Sequence, residues 1–316
     1  MNCAVIFGGS GFIGCFFASE LSKLNAFDKI YLYDHEDLST KFTDFRANLV
    51  KDDDSVEFIY GDVRKNIELD IGNYNVDLIA NFAAIHREPG HEDYEYFETN
   101  LLGAKNICNW SEKVKCKQII FTSSISPYGV SEEKRDESSL PCPTSPYGSS
   151  KLTAEKIHET WFYNDQLNKR LIIVRPGVVF GPGEGGNVSR LIKALNKRYF
   201  FYMGNKNTRK AGIYIKELIN AMMWSLNNIN NFKSNYILFN ATMNPGPSIE
   251  EYVKSICKVS NIKRFVPSVP FIFLFVASYI MDLFLRIFRV NHPFSPVRIQ
   301  KLVRSNDITP QFLIDN

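Results

Sequence analysis

Ala4-Val5-Ile6-Phe7-Gly8-Gly9-Ser10-Gly11-Phe12-Ile13-Gly14 is the stretch whose reading decides the fold. Its first four residues form a short apolar run, as a buried parallel strand requires. The turn glycines Gly8, Gly11 and Gly14 follow at once, and an apolar helical pattern then runs through Phe17, Leu21 and Leu24. Strand, glycine turn and helix make a phosphate-cradling unit. The glycines let backbone approach a pyrophosphate, and the helix N-terminus favours its negative charge. The spacing differs from GxGxxG, but the strand before and the helix after supply the context that a bare glycine pattern lacks. Gly8, Gly11, Phe12, Ile13 and Gly14 are therefore assigned to a dinucleotide site.

Outward from this unit the chain keeps alternating. Ile30-Tyr31-Leu32-Tyr33-Asp34 reads as a second strand with Asp34 at its end. A carboxylate there accepts hydrogen bonds from adenosine ribose hydroxyls and repels a 2′-phosphate, which favours NAD over NADP. A third strand, Val56 to Tyr60, runs into Gly61-Asp62-Val63-Arg64, and a fourth, Val76 to Phe82, into Ala83-Ala84. Small residues at that point let backbone lie against a cofactor. The fifth strand is Gln118 to Thr122, and a helix is expected from Ser145-Pro146, continued by Leu152, Ala154, Ile157 and Trp161.

That helix carries Tyr147 and Lys151, one turn apart and so on one face. A free phenol has a pKa of about 10 and is a poor base at neutral pH. An ammonium held nearby favours the phenolate. The pair therefore suits general acid–base work in an alcohol–ketone interconversion.

Composition narrows the rest. The 316 residues allow one large or two small domains, and a net charge of +3 gives no reason to expect nucleic acid as a partner. The six cysteines, Cys3, Cys15, Cys108, Cys116, Cys142 and Cys257, show no paired or metal-ligand spacing; they read as reduced core residues of a cytoplasmic protein, with no metal site. The first apolar run leads straight into the glycine turn and reads as a strand, not a secretory leader.

The pieces together resemble the extended short-chain dehydrogenase/reductases of the NAD-dependent epimerase/dehydratase branch, whose best-known members act on nucleotide sugars. In family order they are the glycine turn, Asp34, Gly61-Asp62-Val63, Asn81-Phe82-Ala83-Ala84 and Asn100 in Thr99-Asn100-Leu101-Leu102-Gly103. Ser123-Ser124 before Pro127-Tyr128-Gly129, Tyr147/Lys151, and Arg175-Pro176-Gly177 before Phe180-Gly181-Pro182-Gly183 complete the series. The resemblance implies a Rossmann-type doubly wound α/β fold. The NAD-binding domain would cover residues 1–175. Residues 176–316 would be mainly a substrate lobe, with some chain returning to the first domain. It also implies roles: Asp62 touching adenine with Val63 behind it, Ala83, Ala84 and Asn100 at the cofactor, Tyr147 as acid/base, Lys151 on the nicotinamide ribose, and Ser124 on the reacting oxygen.

Departures from the family pattern choose among reactions. The 4,6-dehydratases carry Asp-Glu directly after the Ser/Thr; here Ile125 and Ser126 stand there, so elimination of water is not expected. The galactose-type epimerases follow the Arg175 position with an aromatic, Phe and an Asn that meets the substrate diphosphate; here Pro176, Gly177 and Val178 follow. Ser124, Ser126, Asn187, Arg209 and Lys210 are the residues expected to face substrate. The Arg175-Pro176-Gly177 form also resembles the 3β-hydroxysteroid dehydrogenase branch, as does the apolar stretch 269–289, which suits either a core helix of the lobe or a peripheral helix on the inner membrane face. The expectation is an NAD-dependent nucleotide-sugar epimerase, at C4, serving bacterial surface polysaccharide synthesis. A 4-keto reductase or dehydrogenase, and a membrane-associated hydroxysteroid-type dehydrogenase, are the alternatives. A homodimer is compatible with the family.

Overall fold

In the computed structural model, which describes residues 1–38, 43–88, 90–273, 275–276 and 305–316, strands and helices alternate along the chain. The strands are β1 (Asn2–Phe7), β2 (Lys29–Asp34), β3 (Val56–Tyr60), β4 (Asn75–Asn81), β5 (Gln118–Thr122), β6 (Arg170–Pro176), β7 (Val178–Phe180), β8 (Tyr202–Met203), β9 (Gly212–Tyr214), β10 (Tyr236–Ala241) and β11 (Ser268–Val269). The helices are α1 (Phe12–Lys23), α2 (Thr43–Ala47), α3 (Asp93–Lys113), α4 (Pro146–Tyr163), α5 (Asn187–Asn196), α6 (Ile215–Asn228), α7 (Ile249–Val259) and, near the C-terminus, α8 (Gln311–Asp315). The five strands expected from sequence are all present, each within two residues of the expected bounds.

Seven strands form one sheet in the order β10-β6-β5-β4-β1-β2-β3, and every pairing in it is parallel. Strand order reverses at β1, whose neighbours are β2 and β4. In a doubly wound sheet the ligand crevice lies beyond the carboxyl ends of the strands at this reversal. That places it between the ends of β1 and β4, where the glycine turn and Ala83-Ala84 stand.

Side-chain alternation builds a core on each face of the sheet. Ala4 and Ile6 of β1, Ile30 and Leu32 of β2, and Ile172 and Val174 of β6 pack with Phe17 and Leu21 of α1 and Leu218 and Met222 of α6. Their neighbours Val5 and Phe7, Tyr31 and Tyr33, and Leu171 and Ile173 face the other way, toward Ile107 and Trp110 of α3 and Trp161 and Phe162 of α4. Continuous apolar strands such as Ala4–Phe7 are explained by this two-sided burial.

The chain after β6 does not form one separate block. β7 pairs with β9, β8 pairs with β11, and α5 and α7 share a small core around Leu195, Tyr202 and Val253. β10, however, joins the main sheet beside β6. The C-terminal segment is tied there too: Thr242 Oγ1 donates to the Ile308 carbonyl at 2.7 Å, and the Phe312 ring of α8 lies 6.2 Å from Phe239. Among the described residues no helix is long and apolar enough to cross a membrane. Most of the stretch 269–289, residues 274 and 277–289, lies outside the described residues.

Phe7 is fully buried and meets Tyr33 and Trp110 edge-on at 5.1 and 5.6 Å. Phe7→Ala is expected to cost about 3–5 kcal/mol in chemical denaturation. Leu167→Ala, at a side chain 86% exposed, should change stability by less than about 0.5 kcal/mol in the same assay.

Candidate active site

The site is assembled where α4 meets the carboxyl end of the sheet. Ser145 caps α4, its Oγ accepting from Gly148 N at 3.2 Å, and Pro146 occupies the first turn. Gly148 permits the docking: a Cβ there would lie 2.7 Å from the Ser126 carbonyl oxygen. The start of α4 is thereby pressed against the turn Ser126–Tyr128, which follows β5. Ser124 and Tyr147, 23 positions apart, are brought near one another by this contact. Ser124 Oγ also accepts from Ser126 N and donates to Ser126 Oγ, both at 3.1 Å. Ser124, Ser126, Tyr147 and Lys151, four residues expected from sequence, thus converge.

The electrostatics differ from the expectation that Lys151 simply lowers the Tyr147 pKa. Burial pushes the Tyr147 phenol up to about 12, and the Ser124 hydrogen bond opposes that rise. Burial also drives Lys151 down to about 7, opposed by the Glu155 carboxylate. The physical reason is shared: neither charged form is well solvated in the protein alone. Lys151 is 2% exposed, and its Nζ sits 4.3 Å from the Phe121 ring centroid, where the ring face offsets part of the lost hydration.

At the dinucleotide end, Gly8 takes φ +76°, and any Cβ there would fall 2.6 Å from Ala83 N. The glycine turn and the end of β4 therefore touch through backbone, leaving a cradle that a side chain would fill. Asp34 braces this turn, accepting from Ser10 Oγ at 2.7 Å and from Ser10 N at 3.2 Å. Its other oxygen lies 3.2 Å from His35 Nδ1. Burial pushes the Asp34 carboxyl up, but hydrogen bonds from His35, Ser10 and Glu36 N outweigh this and hold it below the usual range. An ionised carboxylate at the end of β2 beside a side-chain-free turn fits the adenosine ribose and pyrophosphate of NAD. Phe12 and Ile13 open α1, and the Arg46 guanidinium lies over the Phe12 ring at 4.9 Å while its Nε donates to the Gly183 carbonyl at 2.9 Å.

Other expected residues take different parts. Asp62 grips Arg64, with guanidinium contacts of 2.7–3.0 Å, while Val63 is buried beneath Gly103. Asn100 is engaged inside the protein: its Nδ2 donates to Ser150 Oγ at 2.9 Å and to the Ile85 carbonyl at 3.2 Å, and its Oδ1 accepts from Ile85 N at 3.0 Å. It fastens the segment after β4 to α3 and α4. Asn187 is exposed as the first residue of α5. Arg209 donates to the Gly246 carbonyl, which anchors it to the loop before α7. Ala211, next to Lys210, packs with Ile125 and Tyr128 and so brings the segment before β9 alongside the Ser124 turn. Burial drives Lys210 down to about 8, with Glu132 opposing. Of the cysteines, Cys142 departs from the core expectation: it is exposed, in the proline-flanked loop before α4.

Sequence reading missed Ser10 and His35 as partners of Asp34, Tyr96, whose ring is 6.2 Å from Tyr147, and Glu155 behind Lys151. Glu155 alone had a readable signal, its position one helical turn after Lys151.

The profile of the NAD dependent epimerase/dehydratase family matches residues 4–240, and the chain belongs to this family. It is 29% identical over 243 residues to the N-acetyl-α-D-glucosaminyl-diphospho-ditrans,octacis-undecaprenol 4-epimerase of Escherichia coli O157:H7, covering 76% of this chain and 72% of that protein. In fold it is similar to UDP-glucuronic acid 4-epimerase from Bacillus cereus, solved with NAD, at a TM-score of 0.72 and 22% identity over 85% of this chain and 87% of that one. The UDP-Glc/GlcNAc 4-epimerase of Campylobacter jejuni superposes at a TM-score of 0.70 and 19% identity, over 85% and 87% of the two chains.

Tyr147→Phe is expected to reduce turnover by about 10²–10⁴-fold while NAD still binds. Steady-state kinetics beside cofactor titration checks this; turnover within about threefold of wild type would remove Tyr147 as the acid–base group.

Proposed function

We propose that the protein is an NAD-dependent sugar 4-epimerase whose substrate is a sugar held on a diphosphate, in the first instance a nucleotide sugar, in surface polysaccharide synthesis. The observation that carries the reading is the packing of the start of α4, which bears Tyr147 and Lys151, against the Ser126–Tyr128 turn that follows Ser124. The residues after Ser124 support it: Ile125 is buried among apolar groups and Ser126 bonds back to Ser124, so neither position offers a carboxylate for eliminating water. Tyr147, as phenolate, takes the proton of the sugar hydroxyl, and Ser124 holds the same oxygen. Lys151, as ammonium, stabilises the phenolate. NAD, when bound, supplies the hydride acceptor and donor. Tyr147 then returns its proton to the oxygen of the ketone as the other face is reduced. Asp34 supports NAD over NADP, because its carboxylate occupies the ground a 2′-phosphate would need.

A second reading concerns the carrier. The similarity to an epimerase of an undecaprenol-linked sugar is matched by apolar groups turned to solvent: Phe265, Ile272 and Phe273 are 87%, 60% and 67% exposed. Lys263, also exposed, adjoins them in sequence. Apolar and basic groups together suit a lipid diphosphate presented at a membrane surface.

Two outcomes are expected. The purified protein should interconvert C4 epimers with no net gain or loss of reduced cofactor, followed at 340 nm and by product chromatography. UDP-, GDP- and dTDP-sugars should be assayed beside polyprenyl-diphosphate-linked N-acetylglucosamine; stoichiometric NADH or NADPH change would make it a dehydrogenase or reductase instead. Asp34→Ala should weaken NAD and narrow its advantage over NADP, and an unchanged ratio of the two dissociation constants would take Asp34 out of the site.

A further inference from the structure

Behind Lys151 lies a second charged group that the acid–base reading does not use. Glu155 follows Lys151 by one turn of α4, and the two are 0% and 2% exposed. Both Glu155 oxygens are held by Arg175 at the end of β6, from Nε at 2.8 Å and from Nη2 at 2.6 Å. Arg175 is itself 3% exposed. Its guanidinium lies 4.8 Å from the Tyr128 ring centroid. The Tyr128 hydroxyl donates to Asn240 Oδ1 at 2.9 Å, and Asn240 Nδ2 donates to the Thr309 carbonyl at 3.0 Å. The ion pair is thus fixed from β6, from the Ser126–Tyr128 turn, from β10 and from the C-terminal segment.

We infer that Glu155 is a positioning residue whose carboxylate serves as the counter-charge of Lys151, and that Arg175 holds this carboxylate in place. The inference rests on Tyr147 and Lys151 acting as the acid–base pair. Arg175 takes both Glu155 oxygens in a bidentate fork that sets the orientation of the carboxylate, and Lys151, buried one turn earlier on the same helix face, is held next to that charge without a direct ion pair. Tyr147 and Lys151 exchange one proton between two arrangements: neutral phenol with neutral amine, or phenolate with ammonium. Only the second takes a proton from the sugar hydroxyl. The negative charge of Glu155 favours that second arrangement, whereas burial of both side chains favours the first.

Other groups around Lys151 do not replace this carboxylate. Tyr147 and His158 share its helix, Phe121 of β5 lies under the ammonium, Asn81 of β4 bonds His158, and Arg175 of β6 and His86 after β4 are themselves basic. Burial drives His158 down to about 4, so it stays neutral near pH 7. Tyr96 of α3 and Glu88 act on Tyr147 and keep its phenol up.

The test follows the titration of Lys151 directly. The NAD-loaded full chain is labelled with ¹³Cε-lysine, and the Lys151 resonance is assigned by its loss in Lys151→Met. In Glu155→Gln/Arg175→Met both charges of the ion pair leave together, so neither Glu155 nor Arg175 is left as an unpaired buried ion, and thermal melting checks that the fold is retained. The Lys151 midpoint is expected to fall in both variants, by about one pH unit or more in Glu155→Gln, which removes only the opposite charge, and by less in the double variant, which also removes the Arg175 cation. Glu155→Asp, which keeps the charge, should recover most of the wild-type midpoint. A pair serving only to hold α4 to β6 would leave the midpoint of Glu155→Gln within about 0.2 units or, should that variant not fold, would leave that of the double variant unchanged or raised, and either result overturns the inference. The acid–base reading is decided apart from this, by Tyr147→Phe turnover: an active Tyr147→Phe removes that reading, whereas an unshifted Lys151 titration removes only the role of Glu155.

Discussion

An ammonium taken out of water is the constraint on which the rest of the site depends. A lysine at 2% exposure loses nearly all its hydration, and the loss is worth several kcal/mol per ion unless other groups replace the water. Here the replacements come from different parts of the chain: the Phe121 face from β5, the Glu155 carboxylate from α4 itself, and Arg175 from β6 to orient that carboxylate. Each is useful only if α4 lies across the carboxyl end of the sheet at the right height. The small residue Gly148 and the Ser145 cap set that height against the Ser126–Tyr128 turn.

The same edge of the sheet carries the glycine turn and the start of α4 with Tyr147 and Lys151. Strand order reverses at β1, so the glycine turn after β1 and the alanines after β4 border one crevice. Asn100 then fixes the segment after β4 to Ser150 of α4. A shift of α4 is therefore resisted from the cofactor side as well as from the Arg175 side. Precise placement matters because hydride and proton transfer both require the reacting atoms at near-contact distance.

The C-terminal segment belongs to this framework although it follows the lobe elements in sequence. Glu137 accepts from Asn240 N at 2.8 Å and from Gln311 N at 3.0 Å, joining the loop before α4 to β10 and to α8. Arg135 and Ile308 form a parallel bridge beside it. The elements after β6 and the sheet are thus interleaved along the chain, with α5 and α7 packed around their own small core and β10 and α8 returned to the sheet.

Periodicity and turn chemistry made most of the fold legible. Strands buried on both faces read as apolar runs, and the glycine turn, Asp34, Ser124, Tyr147 and Lys151 lie in short local patterns whose spacing carries their chemistry. The alternation of Val5 and Phe7 with Ala4 and Ile6 was in the sequence, but which core each would enter was not. Asp62 and Asn100 were matched by position, yet their side chains are engaged by Arg64, Ile85 and Ser150, and Arg209 is engaged by Gly246. Such partners depend on which loops tertiary packing brings together. The direction in which burial drives Tyr147 and Lys151 likewise belongs to the tertiary structure, because solvation is a property of everything packed around a group. The sequence by itself determined the alternation of strands and helices and put Tyr147 and Lys151 one turn apart on one helix, because both are written in spacings of a few residues. Only the tertiary structure decided the partnership of Glu155 with Arg175 and the return of β10 and α8 to the sheet, because these join residues 20 or more positions apart through contacts no local pattern encodes.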